Sequence, residues 1–276
     1  MAGSDQLFVV DMLGRAWGSI VLRPYVFGFL AVYLTAAAAA WGWRRAAAFT
    51  AWAGGLAFAA EWSSTRSGVP FGLYHYTGAT AGHELYLSNV PLFDPLSFTF
   101  LAYASIGLAG QLLGVGGGAA PGRDARAGLR LAALAGVLMM WLDVVIDPLA
   151  VRGDRWFLGR VFYYPEPGWY FGVPMANFVG WVAVGSAIAA GWMVLGPRVG
   201  GARPAWGRRW PRHERQAVCL YYLVLVFNLA ITAVVAEPAL FVVGVLLHVP
   251  LAGVVVCSLR SREQTGPMPA RAGEPV

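Results

Sequence analysis

The sequence predicts an all-α, polytopic membrane protein with about seven transmembrane helices. Of its 276 residues, 58% are hydrophobic and only 12% are charged, whereas an ordinary soluble domain carries about 25% charged residues. The mean hydropathy is +0.58, and the chain contains repeated apolar runs of the ~20 residues that cross a bilayer. The length suits a single integral-membrane domain, which we place at residues 1–259, followed by a disordered cytoplasmic tail at 260–276.

Seven apolar runs define the predicted spans. They cover residues 22–43, 46–62, 91–114, 129–149, 173–195, 217–236 and 239–258. The two long intervals at 63–90 and 150–172 are rich in glycine, proline and aromatic residues, a composition that predicts tightly packed turns. Irregular backbone at membrane depth must be buried in protein, so we expect these two loops to be re-entrant or interfacial.

The distribution of arginine orients the predicted bundle. All 20 basic residues are arginine, and fourteen of them follow the first span, lie between spans three and four or five and six, or occupy the tail. Cytoplasmic loops carry an excess of basic residues, so we expect the N-terminus outside and the C-terminus inside a bacterial cytoplasmic membrane. The remaining arginines fall on the opposite side: Arg15, Arg23, Arg66, Arg152, Arg155 and Arg160.

Acidic residues inside apolar runs mark a candidate site. Burying an ionised carboxylate costs several kcal/mol, yet MMWLDVVIDPLA at 139–150 places Asp143 and Asp147 four residues apart, on one helix face. Intramembrane ionisable residues face the bundle interior and are functional candidates. In the predicted topology the following polar side chains share the non-cytoplasmic half of the bilayer: Glu61, Asp94, Asp143, Asp147, Asn177 and Glu237.

Two interpretations of the aspartate pair stay open. Like charges at this spacing repel, so one carboxyl can hold a proton at neutral pH. Alternatively, an arginine such as Arg66 or Arg152 can pair with an aspartate. For Asp94 and Glu237 the favoured role is helix capping or a buried ion pair, and Asn177 can also serve as an interhelical hydrogen-bonding group.

The two loops are also rich in aromatic side chains. These can form the interfacial belt that flanks many membrane proteins. Alternatively, they can line a channel for a long apolar ligand or face a developing cation. They comprise Tyr74, Tyr76 and Tyr86 in the first loop and Trp156, Phe162, Tyr163, Tyr164, Trp169, Tyr170 and Phe171 in the second.

Composition excludes several classes of membrane protein and partner. A retinal-binding pump or sensor needs a lysine for its Schiff base, and this chain has none. Membrane di-iron hydroxylases and desaturases need many histidine ligands, and this chain has four. No glycine-rich phosphate cradle follows a strand, and the net charge of +6 is explained by cytoplasmic loops, so neither nucleotides nor nucleic acids are expected.

Two metal-dependent alternatives have partial support. Asp143-x-x-x-Asp147 is similar to the acidic motifs that hold magnesium diphosphate in membrane prenyltransferases, but those enzymes need two such motifs. The side chains of His75, His83 and Glu84 are of types that can ligate a metal ion, but three residues in one loop are a weak indication of such a site. We expect neither a metal nor a cofactor, and instead chemistry by carboxylic acids in an apolar cavity, where a buried acid keeps its proton at neutral pH. Such an acid can protonate an electron-rich alkene to a tertiary carbocation, which water captures (hydration) or an internal double bond captures (cyclisation).

Four motifs are similar to those of a known family. They are Glu61, Gly68-Val-Pro70-Phe71-Gly72-Leu-Tyr74-His-Tyr76, Asp143-x-x-x-Asp147-Pro148, and Gly172-Val-Pro174-x-x-Asn177-Phe-x-Gly180-Trp181. Over roughly residues 55–185 the chain resembles the bacterial and archaeal carotenoid biosynthesis family that includes the carotenoid C-1′,2′ hydratases. These are the gamma-carotene 1′-hydroxylase and bisanhydrobacterioruberin hydratase type.

The resemblance implies addition of water across the terminal double bond of a linear (psi) carotenoid end group, such as that of lycopene or gamma-carotene. A tertiary 1′-hydroxyl results. We expect Asp147 to deliver a proton to C2′ and either Asp143 or Glu61 to deprotonate the attacking water. The residues expected to contact substrate or water are Asn177, Tyr74, Tyr76, Asp94, Phe71 and Trp181.

Two other functions are compatible with these residues. A proton-initiated lycopene-type cyclase needs the same acid but must exclude water. A carotenoid-binding subunit without catalysis works alongside other carotenoid enzymes and needs no acid. In all three cases the resemblance implies a carotenoid partner, and the apolar composition of the chain predicts the lipid bilayer as the other.

Overall fold

Long helices account for most of the chain in a computed structural model that describes residues 2–114, 125–199 and 211–264. The α-helices within these ranges are α1 (Ala2–Leu22), α2 (Pro24–Trp41), α3 (Trp43–Ser67), α4 (Phe93–Leu113), α5 (Ala125–Ala150), α6 (Met175–Leu195), α7 (Pro211–Val234) and α8 (Pro238–Gln264). Short 3₁₀ helices cover Gly153–Arg155 and Gly196–Arg198. The strands are β1 (His75–Tyr76), β2 (Tyr86–Leu87), β3 (Val90–Pro91) and β4 (Phe162–Tyr163).

The helices confirm an all-α membrane fold. Each predicted span coincides with one helix, from α2 to α8. Six of these, all except α3, are long and apolar enough to cross a membrane. Helix α3 carries Arg44 and Arg45 at its start and Glu61 and Arg66 near its end. The seventh crossing and the orientation of the termini therefore stay predictions.

The ends of the chain differ in part from the sequence-based boundaries. Helix α1 precedes the first predicted span and was not predicted, because its charged residues interrupt the apolar run. Helix α8 continues to Gln264, and residues 265–276 lie outside the described residues, so the disordered tail stays a prediction. Several arginines that orient the chain also lie outside them, namely Arg123, Arg203, Arg208, Arg209 and Arg271, and only the backbone is described at Arg212 and Arg262.

Helix α4 is the central helix of the bundle. Of the 18-residue apolar stretch of α4, 78% is buried, against 28% for α2 and 22% for α8. Helix α4 contacts α2, α3, α5 and α7. The sequence explains this position, because FTFLAYASIGLAG is apolar or small on every side and offers no polar face. A helix that is apolar all round belongs in the interior.

Small residues bring α5 and α6 into close contact. A Cβ atom on Gly185 of α6 would lie 3.0 Å from the Cα atom of Gly136 on α5 and 3.1 Å from Met139 Sδ. Lipid tails are as apolar as the side chains, so membrane helices associate through such close packing rather than through a hydrophobic driving force. The contact fixes the end of α5 relative to the start of α6.

The two long loops pair with each other over one end of the bundle. Strands β1 and β4 are antiparallel, with His75 opposite Tyr163 and Tyr76 opposite Phe162. Gly180 of α6 permits the first loop to lie directly against that helix, because a Cβ atom there would approach Pro70 O to 2.7 Å. The loops are therefore an ordered cover and not flexible connections.

A buried ion pair fastens this cover to the helices. Arg23, between α1 and α2, donates to Glu84 Oε1 at 3.1 Å, and both side chains are 1% exposed. The same guanidinium donates to the carbonyl of Leu158 in the second loop and lies 4.5 Å above the ring of Phe93 at the start of α4. One arginine thus connects both loops with α2 and α4.

Replacing Gly185 with leucine is expected to lower the free energy of unfolding by about 1–3 kcal/mol, because the larger side chain overpacks the contact with α5. Thermal unfolding of the purified protein in detergent measures the effect. Gly55→Leu on α3 is the matched control, since no atom lies within 4 Å of a Cβ there. Equal melting temperatures for the two variants would contradict the proposed α5–α6 contact.

Replacing Arg23 with methionine is expected to cost about 3–5 kcal/mol, because Glu84 is left buried without its partner. The double variant Arg23→Met, Glu84→Met should recover part of this loss, since it removes both charges. Asp11→Asn is the control, because the Asp11–Arg15 pair is 38–53% exposed and exposed pairs contribute only about 0–1 kcal/mol. Denaturation in detergent compares them, and a double variant less stable than Arg23→Met would argue against this role.

Candidate active site

The cover of the site follows from strand geometry. Successive side chains of a strand point to opposite faces, so alternate residues of LYHY and FYY face the bundle. His75 and Tyr163 lie on the outer face with ring centroids 5.8 Å apart. The inner rings contact one another at 5.4–5.9 Å and comprise Tyr74, Tyr76, Phe162 and Tyr164.

Beneath these rings, three helix ends bring acidic side chains together. Glu61 lies in the last two turns of α3, Asp94 in the first turn of α4, and Asp143 and Asp147 near the end of α5. Asp143 and Glu61 are buried, whereas Asp94 and Asp147 are partly accessible. The predicted convergence of these acids with Asn177 is thus present in the structure.

Glu237 does not join the cluster. It lies between α7 and α8 and forms ion pairs with Arg152, at 2.8 Å, and Arg155. Desolvation acts in the opposite direction, but the hydrogen bonds and charges of the two arginines lower the pKa of Glu237. The ion-pair role favoured for this residue is confirmed.

The first hydrogen-bonded unit joins Glu61, Tyr76 and Asp94. The Tyr76 hydroxyl lies 2.6 Å from Asp94 Oδ2 and 3.1 Å from Glu61 Oε2. Burial, and then the charges of Asp94 and Glu61, raise the pKa of Tyr76 well above its usual value, so the phenol keeps its hydrogen. Asp94 forms no helix cap and no ion pair with a described residue, so the capping or ion-pair role favoured for it is wrong.

The second unit joins Asp143, Asn177 and Asp147. Asn177 Nδ2 donates to Asp143 Oδ2 at 2.7 Å. Asp147 lies near Asp143, Asn177 and Trp181, and Tyr164 Oη lies 3.5 Å from Asp147 Oδ2. Asp143 Oδ1 has no hydrogen-bond partner among the described residues. Asp143 therefore lies behind Asp147, and of the two only Asp147 lines a cavity.

Neither arginine that was considered as a partner reaches these aspartates. Arg66 donates to Trp62 O and Asn89 Oδ1, each at 2.9 Å. Arg152 is held by Glu237 and by the carbonyl of Pro148. The arginine alternative is therefore wrong, and sharing of a proton within the aspartate pair is the interpretation that stays.

Two cavities meet at this cluster. The smaller has a volume of about 40 Å³ and is lined by Glu61, Phe71, Tyr74, Asp94, Phe98, Asp147, Phe162, Tyr164, Asn177 and Trp181. The larger has a volume of about 90 Å³ and an apolar, largely aromatic wall. Four residues line both cavities, namely Asp94, Asp147, Phe162 and Trp181. Two carboxyl groups thus line both the larger cavity and the smaller one, where they are joined by the polar side chains of Glu61 and Asn177.

Every predicted site residue lies in or next to this arrangement. Seven of them line the smaller cavity: Glu61, Phe71, Tyr74, Asp94, Asp147, Asn177 and Trp181. Tyr76 contacts two of the lining acids, and Asp143 is connected through Asn177. Their assignment to individual catalytic or binding roles stays a prediction.

Sequence reasoning missed the walls of the larger cavity. Tyr25 and Phe29 of α2 and Val224 and Asn228 of α7 line it, although neither helix belongs to the motifs that carry the resemblance. Tyr25, Phe29 and Tyr33 recur at every fourth position, a spacing that places aromatic rings on one helix face. Trp181, already predicted, stacks on Phe98 with ring centroids 4.4 Å apart and planes 11° from parallel.

The histidine site that was considered for a metal ion does not form. Glu84 is held by Arg23, and His75 packs on Tyr163. Within 2–114, 125–199 and 211–264, no group of three or more histidine, cysteine or acidic residues is placed to hold a metal ion.

Comparison with known proteins places the chain in a family. The sequence model of the family described as carotenoid biosynthesis protein matches residues 21–257. No curated protein and no solved structure matches the chain significantly. Since the family match covers most of the 276 residues, the chain belongs to the carotenoid biosynthesis protein family, and the resemblance is confirmed at that level.

Proposed function

We propose that this member of the carotenoid biosynthesis family is a carotenoid hydratase, a cofactor-independent hydro-lyase of the bacterial cytoplasmic membrane. It adds water across the terminal C-1′,2′ double bond of a linear carotenoid end group. One observation carries the proposal: Asp94 and Asp147 line both a larger, mostly apolar cavity and a small cavity that also holds Glu61 and Asn177. A hydrocarbon and a water molecule can thus reach the same two carboxyl groups from different sides.

The larger cavity suits the end of a polyene. Its wall is dominated by aromatic and aliphatic side chains from α2, α4, α5, α7 and the second loop. A hydrocarbon that enters from lipid gains little from the hydrophobic effect, so such a wall binds it through close packing of apolar side chains. The six apolar helices indicate a membrane protein, and a carotenoid dissolves in the surrounding membrane.

Asp147 is the proposed acid. It lies in the last turn of α5, where the negative end of the helix dipole disfavours an ionised carboxylate, and it adjoins the buried Asp143. Two adjacent carboxyl groups without a cation hold a proton between them. The π electrons of the alkene take this proton to form the C2′–H bond, which leaves a tertiary cation at C1′ and a carboxylate at Asp147.

Aromatic rings line the cavities next to the proposed position of that cation. Trp181 and Phe162 line both cavities, and the Phe98 ring stacks beneath Trp181. The negative face of an aromatic ring attracts a cation within about 6 Å. The two methyl groups on C1′ and these rings together stabilise the positive charge until water arrives.

Asp94 is the proposed base. The smaller cavity of about 40 Å³ has room for at least one water molecule, since a cavity needs roughly 10–15 Å³ to hold one. Water attacks C1′ and gives one proton to Asp94, forming the tertiary alcohol and a neutral Asp94. The proton then returns to Asp147 through the cavity that both carboxyl groups line, so each turnover consumes only an alkene and a water molecule.

This assignment keeps one predicted role and changes another. Asp147 remains the acid expected from the sequence. Asp143 and Glu61, expected to deprotonate the water, are assigned positioning roles instead, because Asp143 is fully buried and lines neither cavity and Glu61 lines only the smaller one. Room for water beside the acids also favours hydration over cyclisation, which requires that water be kept away from the cation.

In lycopene-producing bacteria, expression of the protein is expected to convert the pigment into a product that is heavier by one water per hydrated end. Asp147→Asn should lower the rate by at least about 100-fold, in the range ascribed to a general acid. Mass spectrometry of the extracted pigments, normalised to the amount of protein in the membrane, measures both.

The matched control is Asp154→Asn, which changes an exposed aspartate seven positions further along the chain and should leave the rate unchanged. A product of unchanged mass that contains a new ring would instead support cyclisation. An Asp147→Asn variant with full hydration activity would eliminate this residue as the acid.

A further inference from the structure

We infer that Tyr76 orders the protons of the two carboxyl groups that it joins, so that Glu61 stays protonated and Asp94 is the carboxylate. Glu61 is then a positioning residue and a permanent hydrogen-bond donor. The inference deepens the proposed function and rests on it for the role of Asp94. It rests on the number of hydroxyl hydrogens available for the two contacts that join Glu61, Tyr76 and Asp94.

A phenol has one hydrogen to donate. The Tyr76 hydroxyl has two carboxyl neighbours, Asp94 Oδ2 at 2.6 Å and Glu61 Oε2 at 3.1 Å, and can donate to only one of them at a time. An O–H···O⁻ hydrogen bond to an ionised acceptor measures about 2.5–2.7 Å. The contact to Asp94 has this length and the contact to Glu61 is longer, which favours Asp94 as the ionised acceptor. The longer contact then needs its hydrogen from Glu61.

The surroundings of the two acids support the same order. Glu61 is 2% exposed and lies towards the C-terminal end of α3, where the helix dipole opposes negative charge. Asp94 faces two cavities and lies in the first turn of α4, where the dipole favours negative charge. Of the two carboxyl groups, Asp94 therefore costs less free energy to ionise.

The charges around the unit leave no cation to neutralise both acids. Among the described residues, neither Glu61 nor Asp94 forms a salt bridge. Arg23, which lies against Phe93 next to Asp94, is already paired with Glu84. Two buried carboxylates without a cation would repel each other, and a proton on one of them removes the repulsion.

Glutamine reproduces the proposed state of Glu61, because its amide is neutral and donates hydrogen bonds. Glu61→Gln should therefore lower kcat by less than tenfold, whereas Glu61→Ala and Asp94→Asn should each lower it at least 100-fold. The matched control is Glu166→Gln in the second loop, where the side chain is exposed. If Glu61→Gln were as impaired as Asp94→Asn, Glu61 would be an exchanging acid or base and the inference would be overturned.

Infrared difference spectroscopy of the purified protein tests the proton positions without using activity. Protonated carboxyl groups give a carbonyl stretch that is separate from the carboxylate bands. At neutral pH, Glu61→Gln should remove one component of this stretch, and Asp94→Asn should leave that component in place. Loss of the component in Asp94→Asn, or an unchanged spectrum in Glu61→Gln, would overturn the inference.

The two measurements separate this inference from the proposed function. If the spectra agree with the proton order and no hydration is observed, the hydratase proposal fails while the Glu61–Tyr76–Asp94 order stands. If hydration is observed and the spectra place the proton on Asp94, the proton order fails while the hydratase proposal stands.

Discussion

Four carboxyl groups at one end of the bundle have no cationic partner among the described residues, and the rest of the site depends on how their charge is limited. Bringing an unpaired charge into a protein interior costs several kcal/mol even after relaxation. Protons and helix ends limit the charge here. Glu61 and Asp147 lie towards the C-terminal ends of their helices, whereas Asp94 lies at an N-terminus, so the helix dipoles favour protonated acids at the first two positions and a carboxylate at the third. In the proposed mechanism, a proton donor on α5 and a proton acceptor on α4 thereby line the same cavities.

The architecture around the acids maintains this arrangement. Close contact through Gly136 and Gly185 fixes α5 against α6, which places Asp143 beside Asn177. The two loops cover the site with rings instead of charged groups, and Arg23 fastens both loops to α2 and α4 through contacts that are fully buried. The guanidinium of Arg23 is paired with Glu84 and donates to the carbonyl of Leu158. The Arg23–Glu84 ion pair thus holds the cover in place, while the acids beneath the cover form no ion pair with a described residue.

Much of this could be predicted from the sequence. Span positions were found because hydropathy averaged over about 20 residues dominates other signals, and the convergence of the acids followed from which helix ends share a side of the bundle. The pairing of β1 with β4 sets His75 opposite Tyr163, and the Arg23–Glu84 pair joins residues 61 positions apart; no local pattern encodes such distances. The role that we propose for Asp94 was missed for a similar reason: Asp94 resembles a helix-capping residue in sequence, and only its contact with Tyr76 and its position on two cavities distinguish it.

The source of the added oxygen tests the central claim most directly. Membranes that contain the protein are supplied with lycopene in oxygen-18 water under ordinary dioxygen, and in a parallel sample with labelled dioxygen and ordinary water. Capture of a cation by water at the Asp94–Asp147 cavity predicts that the product hydroxyl carries the label only in the first sample, and that none forms with Asp147→Asn. Label acquired from dioxygen, or a product that contains no added oxygen, would contradict the account.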